Sequence, residues 1–193
     1  MRRFFLSISF LVAMTAREIP ALAADTYTFD KAHTNVLFFV GHHGFTRVLG
    51  KFHDYDGSFT FDPNNVEKSA VDVAIKTASI NMFHDKLNEH LRNPDFFHVE
   101  KFPTMTFKST KIEKTGDNTG RMTGDLTLLG VTRPVTLDVT FNRAAEHAVY
   151  KVWSVGFSAK GKLTRSEFGM KYAVPRIGDE VEIVIEVEAN KKQ

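Results

Sequence analysis

A hydrophobic period of two leaves this chain few folds to choose from. In VEIVIEV, Val181, Ile183, Ile185 and Val187 share one face, while Glu182, Val184 and Glu186 share the other. PVTLDVTF sets Val135, Leu137, Val139 and Phe141 against Thr136, Asp138 and Thr140. AVDVAIKT sets Val71, Val73 and Ile75 against Asp72, Ala74 and Lys76, and RMTGDLTLLG alternates in the same way through Met122, Gly124, Leu126 and Leu128. Such alternation marks antiparallel strands with one packed face and one wet face. The turn signals DYDGS, DPNN, TGDNTG, GVTRP and IGDE separate the runs and divide the chain into about eight strands. The runs on either side of GVTRP form a hairpin, with Pro134 expected at the start of its second strand, where a missing N–H is tolerated.

One segment departs from the pattern. Phe83, Leu87 and Leu91 recur at helical spacing before Asn93-Pro94, which predicts a short helix over residues 83–92. An antiparallel sheet carrying one short helix must protect its edges. Closure into a barrel removes them, and the helix can cover an open end. The chain has no cysteine, so stability rests on burial and hydrogen bonding without disulfides. Fifteen of its eighteen Phe lie beyond residue 24. Phe has no polar handle and suits a dry lining, although an ordinary packed core has the same composition. Gly41, Gly50, Gly57, Gly124, Gly156 and Gly161 lie within or beside strands, as strong curvature or close approach of a ligand requires. A barrel of about eight strands is either filled by side chains or holds one small ligand, and the residue pattern leaves both open.

The amino end reads as an export signal. Arg2 and Arg3 precede an apolar run from Phe4 to Met14, and ALAA supplies small residues at Ala21 and Ala23. The run is shorter than the ~20 residues needed to span a bilayer. The expectation is a cleaved signal over residues 1–24, one domain over 25–193, and a periplasmic location. Cleavage would remove three basic residues and one acidic residue, leaving 22 of each sign. A neutral chain lacks the cationic face that nucleic acid or an anionic membrane selects, so neither nucleic-acid binding nor stable membrane insertion is expected.

Motifs for nucleotide binding, serine hydrolysis and helical zinc binding are missing from the sequence. HDYDGSF resembles a calcium loop but lacks its third acid and distal Glu. The histidines are the strongest enzymatic candidates. Strand parity places His42 with Val36, Phe38 and Val40 and turns His43 to the opposite side, so one strand cannot offer both to one metal. The expectation is that GHHG turns a strand at a barrel end, with His42 near the mouth and His43 outward. His84 and His90 flank the expected helix but do not share a helical face.

Several stretches together, in order and spacing, carry a family resemblance: HTNVLFFV with VLGKF, HLRNPDFFHVEKFPTMTF, GDLTLLGVTRPVTLDV and LTRSEFGM. Across nearly all of the chain beyond the signal, the sequence resembles the YceI-like family of exported polyisoprenoid-binding proteins. The resemblance implies an extended, lipocalin-like antiparallel β-barrel. It also implies a carrier or binding protein rather than an enzyme, with no resident cofactor or metal. The partner it implies is a long-chain isoprenoid lipid of the polyprenyl or quinone type, held in a hydrophobic channel. The expected lining is Val36, Phe38, Val40, Phe52, Met105, Phe107, Leu126, Leu128 and Phe157, with Val73, Ile75, Ile183 and Ile185 from other strands. The expected head-group contacts are Arg165, His42 or Arg47, with Arg165 first because it lies in LTRSEFG. The competing role for Arg165 is a structural pair with Glu167 or Asp179.

Two other readings stand beside the carrier. One is a His-based metal or haem-associated redox protein using His33, His42 and a residue of another strand. The other is a filled barrel without ligand. The oligomeric state is open, with a homodimer as one option.

Overall fold

The computed structural model describes residues 24–192; the expected signal, residues 1–24, falls almost wholly outside them. Among the described residues there are eleven strands: β1 Asp25–Phe29, β2 Asn35–His42, β3 Thr46–Phe52, β4 Tyr55–Phe61, β5 Ala70–Lys76, β6 Ile80–Asn81, β7 Thr104–Lys114, β8 Thr119–Leu128, β9 Val131–Glu146, β10 Trp153–Thr164 and β11 Ile177–Lys191. Among the described residues there is one α-helix, α1 Asp85–Arg92, between β6 and β7.

Eleven strands form only eight staves. β1 and β2 follow one another along β11, from Tyr27 opposite Lys191 to Val40 opposite Val181. β3 and β4 form the next stave, β3 against β2 and β4 against β1. β5 pairs with β4 and the short β6 with β3, which makes the third. β7 to β11 complete an antiparallel meander, and β1 on β11 closes it. The fold is therefore the expected all-β, lipocalin-like closed barrel of eight staves; strand pairing closes it through β1 on β11, while at the other end of the staves it stops at β6, which pairs with β3 alone.

Local chemistry explains the breaks. Between β1 and β2 the Asp30 carboxylate accepts from the Ala32 N–H at 2.9 Å, and its carbonyl accepts from the Thr34 N–H at 2.9 Å. This tight turn lets the stave bend without leaving β11. In β4, Gly57 has φ 140°, and a Cβ there would run into the Asp72 carbonyl of β5.

α1 covers one end, but its boundary and packing differ from expectation. Phe83 lies before the helix with φ 58° and is 64% exposed. The Phe83 N–H donates to Asn81 Oδ1, and the Met82 N–H donates to Asn88 Oδ1, so two asparagines hold this entry turn outside the helix. Leu87 is also exposed, and of the expected apolar triad only Leu91 packs on the core. The β8–β9 hairpin turns at Leu129-Gly130, both with positive φ, so β9 starts at Val131 and Pro134 lies inside it opposite Asp125. Among the described residues no helix is long and apolar enough to cross a membrane.

Candidate binding tunnel

The inward positions of the staves line a continuous cavity of ≈ 850 Å³. Its wall is built by strand parity: Val36, Phe38 and Val40 from β2, Met105 and Phe107 from β7, Leu126 and Leu128 from β8, Ile183 and Ile185 from β11. Every one of the thirteen residues expected to line a channel lies on this wall, with Phe52, Val73, Ile75 and Phe157 completing them. The cavity runs the length of the barrel. One end is bordered by Pro63, Val66, Asn118 and Thr119, and the other by His42, His43, Leu87, His90, Tyr172 and Arg176.

The polar groups that reach the wall between these ends have partners within the protein. The Tyr55 hydroxyl donates to the Thr34 carbonyl at 2.9 Å, and the Thr34 hydroxyl donates to the Glu188 carbonyl at 2.8 Å. Arg165 is 3% exposed. Its guanidinium donates to the carbonyls of Gly178 at 2.8 Å, Met170 at 3.0 Å, Tyr172 at 2.9 Å and Ile177 at 3.0 Å. Burial pulls its pKa below the usual arginine value, and the Asp179 carboxylate opposes that shift. Neither expected role for Arg165 describes this geometry. It faces the tunnel but clamps the β10–β11 connection through backbone carbonyls, while Asp179 accepts instead from the Ser166 N–H and hydroxyl.

The other head-group candidates separate. Arg47 lies away from the tunnel wall, over the Phe39 ring and paired with Glu182. Its register opposite Gly41 turns it to the outside of the β2–β3 hairpin. His42 and His43 both border the mouth, with their rings 4.6 Å apart. His43 was expected outward by strand parity, but it is a turn residue. With Gly44 it has positive φ, and its N–H donates to the Arg176 carbonyl at 2.7 Å, which folds it back to the rim.

His33 and His42 do not meet. β2 separates them by roughly 25 Å at strand rise, and His33 instead contacts Asp30 outside the tunnel. His53, His90, His98 and His147 occupy separate places, beside Asn81, Phe96, Phe102 and Tyr150. His84 precedes α1 as its N-terminal cap residue without a side-chain capping bond.

Sequence reasoning missed part of the wall. Tyr55, Phe59 and Phe61 alternate in YDGSFTF, and Leu137, Val139 and Phe141 alternate in PVTLDVTF, so the same period would have found them. Phe96, Phe97 and Met170 come from irregular segments, where no period marks the inward side.

Residues 27–189 match the model of the YceI-like domain family. The chain is 37% identical to Protein YceI of Escherichia coli over 193 aligned residues, 97% of each chain. It is similar to the solved YCEI protein of Campylobacter jejuni, with 39% identity and a TM-score of 0.73 over 86% of this chain and 98% of that one. A polyisoprenoid binding domain from Saccharophagus degradans, implicated in plant cell wall breakdown, shares the fold at 10% identity. The TM-score is 0.64, over 88% of this chain and 99% of the domain.

Proposed function

The chain belongs to the YceI-like family, and from that premise we propose that it is an exported, non-enzymatic binding protein that shelters a long-chain isoprenoid in the barrel tunnel. The observation that carries this reading is the end-to-end apolar cavity, ≈ 850 Å³, whose inner polar groups are already hydrogen-bonded within the protein. A flexible hydrocarbon asks for volume, apolar wall and few competing donors. The polyisoprenoid-binding domain of the same fold supports the ligand class. The basic start, apolar run and ALAA of residues 1–24 support export to the periplasm.

The tail lies along the thirteen wall residues from Val36 to Ile185, and the head group lies at the mouth by His42, His43 and Arg176, since the Arg165 donors are engaged by carbonyls. The thermodynamics suit a shuttle. At about −0.3 kcal/mol per heavy atom a tail of roughly 40 carbons gains on the order of −12 kcal/mol relative to water. A bilayer interior is comparably apolar, so exchange between membrane and tunnel is near balance and cargo can be both loaded and released.

The test is a chain-length series of isoprenoid alcohols competing for one fluorescent isoprenoid probe. Each five-carbon unit inside the tunnel adds about 1.5 kcal/mol, roughly tenfold in affinity, until the cavity is full and the gain stops. Affinity independent of chain length would sink the proposal.

A further inference from the structure

The mouth end of the tunnel leaves apolar side chains in water. Phe45, at the tip of the β2–β3 hairpin, is 90% exposed, and Phe83, just before α1, is exposed too. Leu87 and Tyr172 are exposed while also lining the tunnel, so the apolar surface runs from the rim into the cavity. Tight turns present these side chains. The Phe45 N–H donates to the His42 carbonyl at 3.0 Å, and the Phe83 N–H donates to Asn81 Oδ1 at 2.7 Å.

Strand pairing is open at the same place. β3 pairs with β2 along its whole length, but on its other side only Lys51 and Phe52 have strand partners, Asn81 and Ile80 of β6. From Thr46 to Gly50 that side carries no strand. Met82 packs over Gly50 there, and Leu87 of α1 also lines the tunnel. A wall of side chains parts at lower cost than a ladder of backbone hydrogen bonds. Charge is sorted along the tunnel as well. The carboxylates on its wall, Glu113 and Asp117, belong to the opposite end, while His42, His43 and Arg176 border the mouth. Lys86 and Lys171 are exposed and adjoin Leu87 and Tyr172 in sequence. Asp85 and Glu89 lie two residues either side of Leu87, which turns them to the other face of α1.

We propose that this rim is a docking face for a phospholipid bilayer, with Phe45, Phe83 and Leu87 seated below the head groups and Lys86, Lys171 and Arg176 against the lipid phosphates. The proposal rests on the carrier reading: a cargo insoluble in water is collected from the membrane that holds it, and the gap beside β3 then faces hydrocarbon. Apolar side chains ringed by cations match the layering of a bilayer surface. Such docking is peripheral and local, so it needs no net positive charge on the chain. A second copy of the chain fits less well, because twofold pairing would set this cationic rim against itself.

The test uses the one tryptophan of the sequence, Trp153, which begins β10 at the opposite end of the barrel. Wild type, F45W and F45S/F83N are mixed with vesicles of phosphatidylcholine and phosphatidylglycerol that carry brominated acyl chains. Neither Phe45 nor Phe83 lines the tunnel, and Asn accepts the positive φ of position 83. Vesicles should quench the added fluorescence of F45W and leave that of wild type unchanged. In flotation, F45S/F83N should bind vesicles at least about tenfold more weakly than wild type, while taking up a fluorescent isoprenoid probe delivered in ethanol as wild type does. Quenching of Trp153 in wild type, vesicle binding that F45S/F83N retains, or wild type that does not float would each overturn the docking face. Probe uptake needs no vesicle, so it reads the carrier proposal separately. A dimer that F45S/F83N dissociates, in protein that does not bind vesicles, would assign the rim to a second copy instead.

Discussion

Arg165 is where a single side chain does most to hold the fold. A buried guanidinium donating to four carbonyls fixes the connection between β10 and β11 against one end of the tunnel. Arg165→Met keeps much of the volume and removes every donor. With hydrogen bonds to a charged group worth about 1.5–3 kcal/mol each and not additive, the loss is on the order of 3 kcal/mol by urea unfolding. Arg165→Lys recovers only part, because a compact ammonium cannot reach four carbonyls in a planar fork. LTRSEFG marked Arg165 as special. Its role was not legible, because sequence shows neither the carbonyls of residues 170–178 nor their convergence on one point. A second residue-scale effect is pH-dependent. Asn81 Oδ1 accepts from the Phe83 N–H, so its amide nitrogen faces His53 Nε2 at 2.8 Å and requires a lone pair there. Burial, and then the Lys51 charge, lowers the His53 pKa from 6.5. The unfolded chain therefore takes up this proton first. The stabilisation is complete above the unfolded pKa and is lost as pH falls through the histidine range. Urea midpoints measured from pH 7.5 to 5 should fall less steeply for His53→Gln, which keeps an acceptor without a titration; superimposable profiles would refute the assignment.

The elements were legible wherever period two ran unbroken, and obscure where a stave changed partners midway. The alternation in AVDVAIKT, RMTGDLTLLG, PVTLDVTF and VEIVIEV, with the GVTRP turn, placed β5, β8, β9 and β11, while β7 and β10 were not singled out by it. The pairs β1/β2, β3/β4 and β5/β6 are single staves broken by turns, and only the register shows that each pair follows one course. The helix was found but its first turn was misplaced, since Asn81 and Asn88 hold Met82 and Phe83 in a turn that apolar spacing cannot reveal. Gly50 belongs to this scale. It pairs with Phe38, and a Cβ on it would overlap the Phe38 ring and the Met82 sulfur. Gly50→Ala should therefore cost about 1–3 kcal/mol of overpacking and push Phe38 toward the tunnel. Calorimetric unfolding together with probe binding reads both effects, and unchanged values in both would contradict the close fit.

For the whole molecule the undecided choice was between a filled barrel and a hollow one. Inward parity is the same in both, so the thirteen wall residues, named from the family resemblance together with parity in some strands, left the space between them undecided. That space depends on barrel radius, which follows from the number and tilt of closed staves. Small side chains such as Ala159 help keep it open: Ala159 lines the cavity within β10 and is 7% exposed. Ala159→Trp should fill part of the tunnel and lower lipid occupancy severalfold while the protein still folds, as read by co-purifying lipid per chain alongside circular dichroism. The most direct measurement is native mass spectrometry of the protein, expressed with its full amino end and purified from cells without detergent, with solvent extraction of whatever is bound. The account predicts one long-chain isoprenoid per chain. An apo mass, with no isoprenoid in the extract, would contradict it and leave the cavity without its proposed occupant.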